Sequence, residues 1–486
     1  MTIKDLTPSL VWNIFYDITR VPRPSKKEGK IREFLINFAQ KHNIAYKVDD
    51  AGNVAMFRPA APGCENAPRI VMQGHMDMVC EKDANVQHDF DNDPIETIID
   101  GEWVRANGTT LGADNGIGMA AGLAALIDDS IVAGPIQALF TVDEETGLTG
   151  ANALGDGMIE GDILLNLDSE EDGEICIGCC GGLGTAASFK YTPTPAPDYL
   201  FFKVVLGGLN GGHSGADIHL ERACANKVMA RFLFNLGKEM DFALASFNGG
   251  NLRNAIARDA EVVIGIDAKD KEPLSVLLNQ YYADVKNEYK RTEPGVKFTI
   301  ESVEKPEFVI DNATAHNFIY ALYCAPHGVL SMSKDIEGLV ETSTNLASAK
   351  MQPDNSILVV TSQRSSVESR KFDAANQIET IFTLAGATVT HSSAYPGWEP
   401  NMNSRILNIA MDTHERLFGC RPKATAIHAG LECGLFLTNY PHLDMISYGP
   451  TLRGVHSPTE KMHIPAVEKF WQLTVAIIEE VAKLTR

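Results

Sequence analysis

The stretch Arg69-Ile-Val-Met-Gln73-Gly-His75-Met-Asp77-Met-Val79 runs from an apolar strand into a polar, glycine-bearing turn. Two other runs share this shape. Pro135 to Val142 is followed by Asp143-Glu144-Glu145, and Asp162 to Asp168 by Ser169-Glu170-Glu171. Between the first two, Ile117, Ala120, Ala121, Ala124 and Ile127 recur at helical spacing after Asn115. Strand, helix and strand of these lengths predict an α/β fold with a largely parallel sheet covered by helices. In such sheets chemistry gathers in the loops at the carboxyl ends of the strands.

Further along, the Pro-rich segment Tyr191 to Asp198 reads as a linker or edge turn, and the rhythm then changes. Leu200–Leu206, Phe242–Phe247, Glu261–Asp267 and Val296–Ser302 read as strands, with helices over Glu221–Leu236 and Glu272–Tyr289. That β-α-β-β-α-β order is the ferredoxin-like signature. A similar set, helix, two strands, helix and strand, spans Asn312 to Thr390. The end returns to the first style, with a strand over Leu443–Tyr448 and a final helix opened by Pro465. The expected architecture is a split domain of residues 1–187 and 394–486, with an α+β lid of two ferredoxin-like halves inserted at 188–393.

At 486 residues the chain exceeds what one core usually supports, in keeping with two domains. Its 42 Lys plus Arg against 63 Asp plus Glu give a formal charge of −21, which argues against partners that are nucleic acid or anionic membrane. Met1 to Arg20 lacks the pattern of a secretion signal, and no run reaches the ~18 apolar residues of a membrane span. The nine cysteines are odd in number and scattered, so reduced thiols and a cytoplasmic location are expected.

Five acidic or His-bearing segments fall at predicted strand ends or loops. They are Gln73-Gly-His75-Met-Asp77, Leu111-Gly-Ala-Asp114, Thr141-Val-Asp143-Glu144-Glu145, Asn166-Leu-Asp168-Ser-Glu170-Glu171 and Gly454-Val-His456-Ser-Pro-Thr-Glu460. Residues two apart on a strand face the same way, so Asp77 is able to hold the His75 imidazole in a metal-binding tautomer. Taken singly, such an Asp is commonly a turn or cap, and a lone His a satisfied core or surface group. Together at one sheet edge, two His and three carboxylates describe a site for two borderline divalent cations, zinc first, with cobalt or manganese able to substitute.

The order and wording of these segments resemble the co-catalytic zinc metallopeptidase family that includes aminoacylases and succinyl-diaminopimelate desuccinylase, and within it the aminoacyl-histidine dipeptidase branch. The matching phrases are QGHMDMV, HDFDNDPI, DGEWVRANGTTLGADNGIGMA, NLDSEEDGEICIGC, GGHSGADIH, FNGGNLRNAIAR, AYPGWEP, HAGLECGLF and GVHSPTE, spread over nearly the whole chain. The resemblance implies His75, Asp114, Glu145, Asp168 and His456 as metal ligands, with Asp114 bridging two zinc ions. It implies Glu144 as general base, Asp77 as the residue orienting His75, and His213 as an oxyanion donor on the lid, with His219 a weaker candidate. It also implies hydrolysis of dipeptides, preferentially those ending in His, and a homodimer. Exopeptidases of this class must grip a free carboxylate, which favours Arg or backbone donors. Arg364, Asn254 and Glu432 are the candidate substrate-binding residues.

A related tripeptidase or N-acyl amino acid deacylase would use the same metals on another substrate. A non-catalytic metal-binding module would have no use for Glu144. A nucleotide-binding α/β protein is excluded by the lack of a phosphate loop.

Overall fold

A computed structural model describes residues 2–484. The chain divides into two compact units. One runs to Gly178 and resumes over Pro400–Ala426 and from Leu431, and the other comprises Cys179–Glu399 with Ile427–Gly430.

The first unit is built on an eight-stranded sheet, in the order Ala45–Val48, Val54–Arg58, Ile136–Thr141, Ile70–His75, Ile163–Asn166, Asp444–Ser447, Glu174–Cys179 and Lys423–Ile427. The four strands from Ile136–Thr141 to Asp444–Ser447 are mutually parallel, and antiparallel strands flank them. Every residue of Ile70–His75, Ile136–Thr141 and Ile163–Asn166 is buried, which is why these strands read as continuous apolar runs without alternation. Burying each of Ile70, Leu139 and Leu164 contributes ~1.5–3 kcal/mol.

The helix Ala113–Ile127 packs on the strands Ile70–His75 and Ile136–Thr141 and against the helix Ser9–Thr19. Its small residues permit this close approach. A Cβ on Gly122 would meet the Phe140 ring at 3.3 Å. A smaller four-stranded sheet, ordered Leu452–Arg453, Lys461–His463, Trp103–Ala106 and Thr97–Asp100, pins the His456 hairpin beside the segment that leads to Asp114.

The second unit holds a nine-stranded antiparallel sheet. Its strands Lys297–Val303, Leu200–Gly207, Ala260–Ile266 and Phe242–Gly249 lie in the order fourth, first, third, second of the first ferredoxin-like set. Beyond them come Val340–Gln352, Ser356–Ser365, Gly181–Lys190 and Thr388–Tyr395, the mirror order of a second set. Its first strand is Gly181–Lys190, separated in sequence from the rest by the whole first half. The expected junctions at 187 and 394 therefore fall inside strands of this unit. The Pro-rich segment is no domain linker either, because Pro193–Pro195 pairs with Phe308–Ile310.

Among the described residues no helix is long and apolar enough to cross a membrane.

Candidate functional site

The first unit brings all five expected ligands together. His75 ends its strand with its side chain 1% exposed, and its Nε2 lies 3.1 Å from Asp114 Oδ1 and 3.4 Å from Asp168 Oδ1. His456 Nε2 lies 3.2 Å from Asp114 Oδ2 and 3.0 Å from Glu145 Oε2. Asp114 thus turns one oxygen to each histidine, and each histidine has a second carboxylate of its own. The donor atoms of His75, Asp114 and Glu145 all fall within 4.8 Å of one another.

The electrostatics follow from crowding three carboxylates. Burial raises the Asp168 carboxyl well above its ordinary range, and neighbouring Asp114 adds to this. Burial would raise Asp114 too, but hydrogen bonds from His456 and His75 hold it low. Asp114 and Glu145 push the His456 imidazole up to about 11. Burial opposes protonation of His75, yet Asp168, Asp114 and Asp77 carry it well above a free imidazole. Glu145 Oε1 and Asp168 Oδ1 are buried without a hydrogen-bond partner. Imidazole and carboxylate donors, an excess of negative charge and two buried oxygens without a hydrogen bond suit a pair of borderline divalent cations.

A single carboxylate organises the surroundings. Asp77 Oδ1 faces His75 Nδ1 at 3.2 Å and accepts the Glu144 N–H at 3.0 Å. Its Oδ2 accepts the Ser25 hydroxyl at 2.7 Å and the Glu145 N–H at 3.3 Å. Burial would raise this carboxyl, but the bonds with His75 and these donors bring it down to about 2. Glu28 and Asp143 lie close by in a second acidic group. Their oxygens take donors from Lys26, the Asp143 N–H, Thr146 and Thr149, so this group is a hydrogen-bonded brace. Asp143 has φ +48°, a left-handed residue at the turn that presents Glu144 and Glu145. Burial, with Asp168, Glu432 and Glu145 nearby, raises the Glu144 carboxyl well above the ordinary range.

Glu432 belongs to the same unit. It is 1% exposed, with Oε2 accepting from Gln73 at 2.6 Å and Thr141 at 2.9 Å and Oε1 left without a hydrogen-bond partner. Burial pushes its carboxyl up to about 7.

The second unit holds the remaining candidates. His213 Nδ1 accepts the N–H groups of Gly215 at 3.2 Å and Ala216 at 3.0 Å. This fixes the neutral tautomer with the proton on Nε2, and burial and Arg364 lower its pKa. Asn254 is exposed and lines a cavity of about 460 Å³ together with His213, Asn210, Leu252 and Arg258. Arg364 is buried, donating from Nε to Ser214 Oγ at 3.3 Å and from Nη1 to the Tyr395 hydroxyl at 3.1 Å. His219 is exposed, in the short turn Ile218–Leu220.

The family model of peptidase family M20/M25/M40 matches residues 71–480. The chain belongs to this family. It is a hydrolase of peptide bonds, as the motifs led one to expect. It is 40% identical over 480 residues to the cytosol non-specific dipeptidase of Escherichia coli, covering 99% of each chain. The crystal structure of aminoacylhistidine dipeptidase from Vibrio alginolyticus is 43% identical, with a TM-score of 0.92 and coverage of 99% of this chain and 98% of that one. A tripeptidase from Staphylococcus aureus, 17% identical, has a TM-score of 0.58 over 99% of this chain and 100% of its own, and shares the fold.

Three buried polar residues escape a reading of the sequence. Arg23 and Glu460 are each 2% exposed and bind backbone next to His75 and Asp114. His428, in the second unit, lies 2.7 Å from Ser343 Oγ, and burial pushes it down to about 3. Glu460 and His428 sit inside motifs already noted, but nothing local marks their partners.

Proposed function

We propose that the chain is a cytoplasmic, homodimeric dipeptidase that uses two zinc ions and prefers Xaa-His substrates. The observation that carries the reading is the division of the Asp114 carboxylate between two histidines, each with its own second carboxylate. His75, Asp114 and Asp168 would hold one cation, and His456, Asp114 and Glu145 the other. Relatives at 40% and 43% identity, called a cytosol non-specific dipeptidase and an aminoacylhistidine dipeptidase, support dipeptides as the substrate class. Location and dimer follow from the family resemblance.

When bound, the cations supply Lewis acidity toward the scissile carbonyl and lower the pKa of a water. The protein's own groups do the rest. Glu144 takes the proton from the attacking water and returns one to the leaving amine. Its backbone is fixed by Asp77, so base and ligand Glu145 are positioned by one carboxylate. His213, with its proton on Nε2, donates to the oxyanion. Arg364 and Asn254 bind the free carboxylate and the amide. The unpaired Oε1 of Glu432 is an acceptor that a substrate's amine would satisfy.

The test is a panel of Xaa-His dipeptides, other dipeptides, tripeptides and acetylated amino acids, assayed on zinc-reconstituted protein. The highest kcat/KM is expected on Xaa-His dipeptides. Faster turnover of tripeptides or acetylated amino acids than of any dipeptide would overturn the assignment.

A further inference from the structure

We propose that Arg23 and Glu460 are positioning residues that together aim the Asp114 carboxylate at both cation sites. The inference rests on the two-cation reading above and assigns work to residues outside the ligand set.

Glu460 Oε2 accepts the N–H groups of Leu111 at 2.7 Å and Gly112 at 3.0 Å. Its Oε1 accepts Ala113 N–H at 2.8 Å and, more weakly, Asp114 N–H at 3.4 Å. One carboxylate thus gathers four consecutive backbone donors, ending at Asp114 itself. Arg23 grips the same loop from its carbonyl side, donating from Nη2 to the Gly112 oxygen. Its Nη1 donates to the carbonyls of Met76 at 3.2 Å and Asp77 at 2.6 Å, directly after His75. Gly112 has φ +69°, and a Cβ there would meet Arg23 Nη2 at 2.7 Å.

Three ligand segments are therefore coupled. Arg23 joins the His75–Asp77 turn to the Asp114 loop, and Glu460 joins that loop to the hairpin bearing His456. Both charges are buried and directed at backbone. Buried ions of this kind add little net stability over apolar packing. Their value lies in geometry, because Asp114 must present one oxygen to each side and a small rotation of its loop would spoil both.

The experiment titrates metal-free wild type, Glu460→Gln and Arg23→Gln with zinc by calorimetry against a competing chelator. The melting temperature of each metal-free protein is recorded alongside. Loss of an outer partner typically lowers metal affinity ~10–100-fold, and both ions should weaken together. Arg23 separates positioning from simple charge. Removing a cation from beside the site would tighten zinc binding if charge alone mattered, whereas positioning requires that Arg23→Gln weaken it. Unchanged or tighter binding in Arg23→Gln overturns the inference, as does a lower melting temperature with wild-type zinc affinity. Should Arg23→Gln fail to fold, Arg23→Lys keeps the charge but loses the forked donors. The same weakening is expected there, and wild-type affinity overturns the proposal. A wild type that takes up no cation would instead overturn the two-cation reading itself, and this inference with it.

Discussion

Replacing Asp77 with asparagine removes one charge and changes one atom, yet every bond that the carboxylate makes is affected. Asp77 is 0% exposed, and its four contacts are His75 Nδ1, the N–H groups of Glu144 and Glu145, and the Ser25 hydroxyl. Whichever way the asparagine amide turns, its NH₂ faces a backbone N–H of Glu144 or Glu145. One buried donor then loses its partner, at a cost of ~1–3 kcal/mol in the metal-free protein. The His75 imidazole either loses its acceptor, where the NH₂ takes the Oδ1 position, or keeps a neutral one in place of a charged one, so zinc affinity should fall ~10–100-fold. Denaturant unfolding of the metal-free chain measures the first effect and zinc titration the second. Turnover of a His-ended dipeptide should fall even at saturating zinc, because Glu144 is positioned through the same group. Wild-type stability together with wild-type zinc affinity in Asp77→Asn would refute the assignment of Asp77 as organiser.

Glu144→Gln should lower kcat by ~10²–10⁴-fold with zinc content near wild type, while Glu145→Gln should weaken zinc binding directly; matching metal titrations for the two would contradict their division of labour. His213→Ala should reduce kcat ~10²–10³-fold without changing zinc content, as for a lost oxyanion donor, and near-normal turnover would exclude that role. The pH dependence of stability has a definite sign at His428. Its pKa is about 3 in the fold against 6.5 unperturbed, so below about 6.5 the unfolded chain binds a proton that the folded chain refuses. Its contribution is flat above that pH and deepens below it, reaching ~2 kcal/mol of destabilisation at pH 5. Unfolding of His428→Asn from pH 7 to 5 should show a correspondingly smaller loss.

The parallel core of the first unit was legible because its strands are fully buried and so read as mostly apolar runs that stop at charged residues. Those stops carry three of the five candidate ligands. His75, Glu145 and Asp168 each stand at or just past a strand's carboxyl end, and the structure places them beside Asp114 and His456. The strand Gly181–Lys190 was cut by the expected junction at 187 for the opposite reason. Its glycines, alanines and serine give no strong strand pattern, and what holds it is pairing with Ser356–Ser365 and Thr388–Tyr395, remote in sequence. Arg23 and Glu460 were invisible for a related reason. Their partners are backbone groups, which every residue carries, and Glu460 lies 347 positions from the Ala113 N–H it binds. Which motif residues gather at one place was readable from sequence, while the bonds that hold those motifs in register were not.

In the proposed function, five side chains of the first unit make two cation sites sharing Asp114, and peptide hydrolysis depends on both. The most direct measurement strips the protein of metal and follows hydrolysis of Ala-His as zinc is returned one equivalent at a time. No turnover is expected at zero equivalents, and full activity on reaching two. Full activity in the stripped protein, or a plateau unrelated to zinc added, would contradict the proposal.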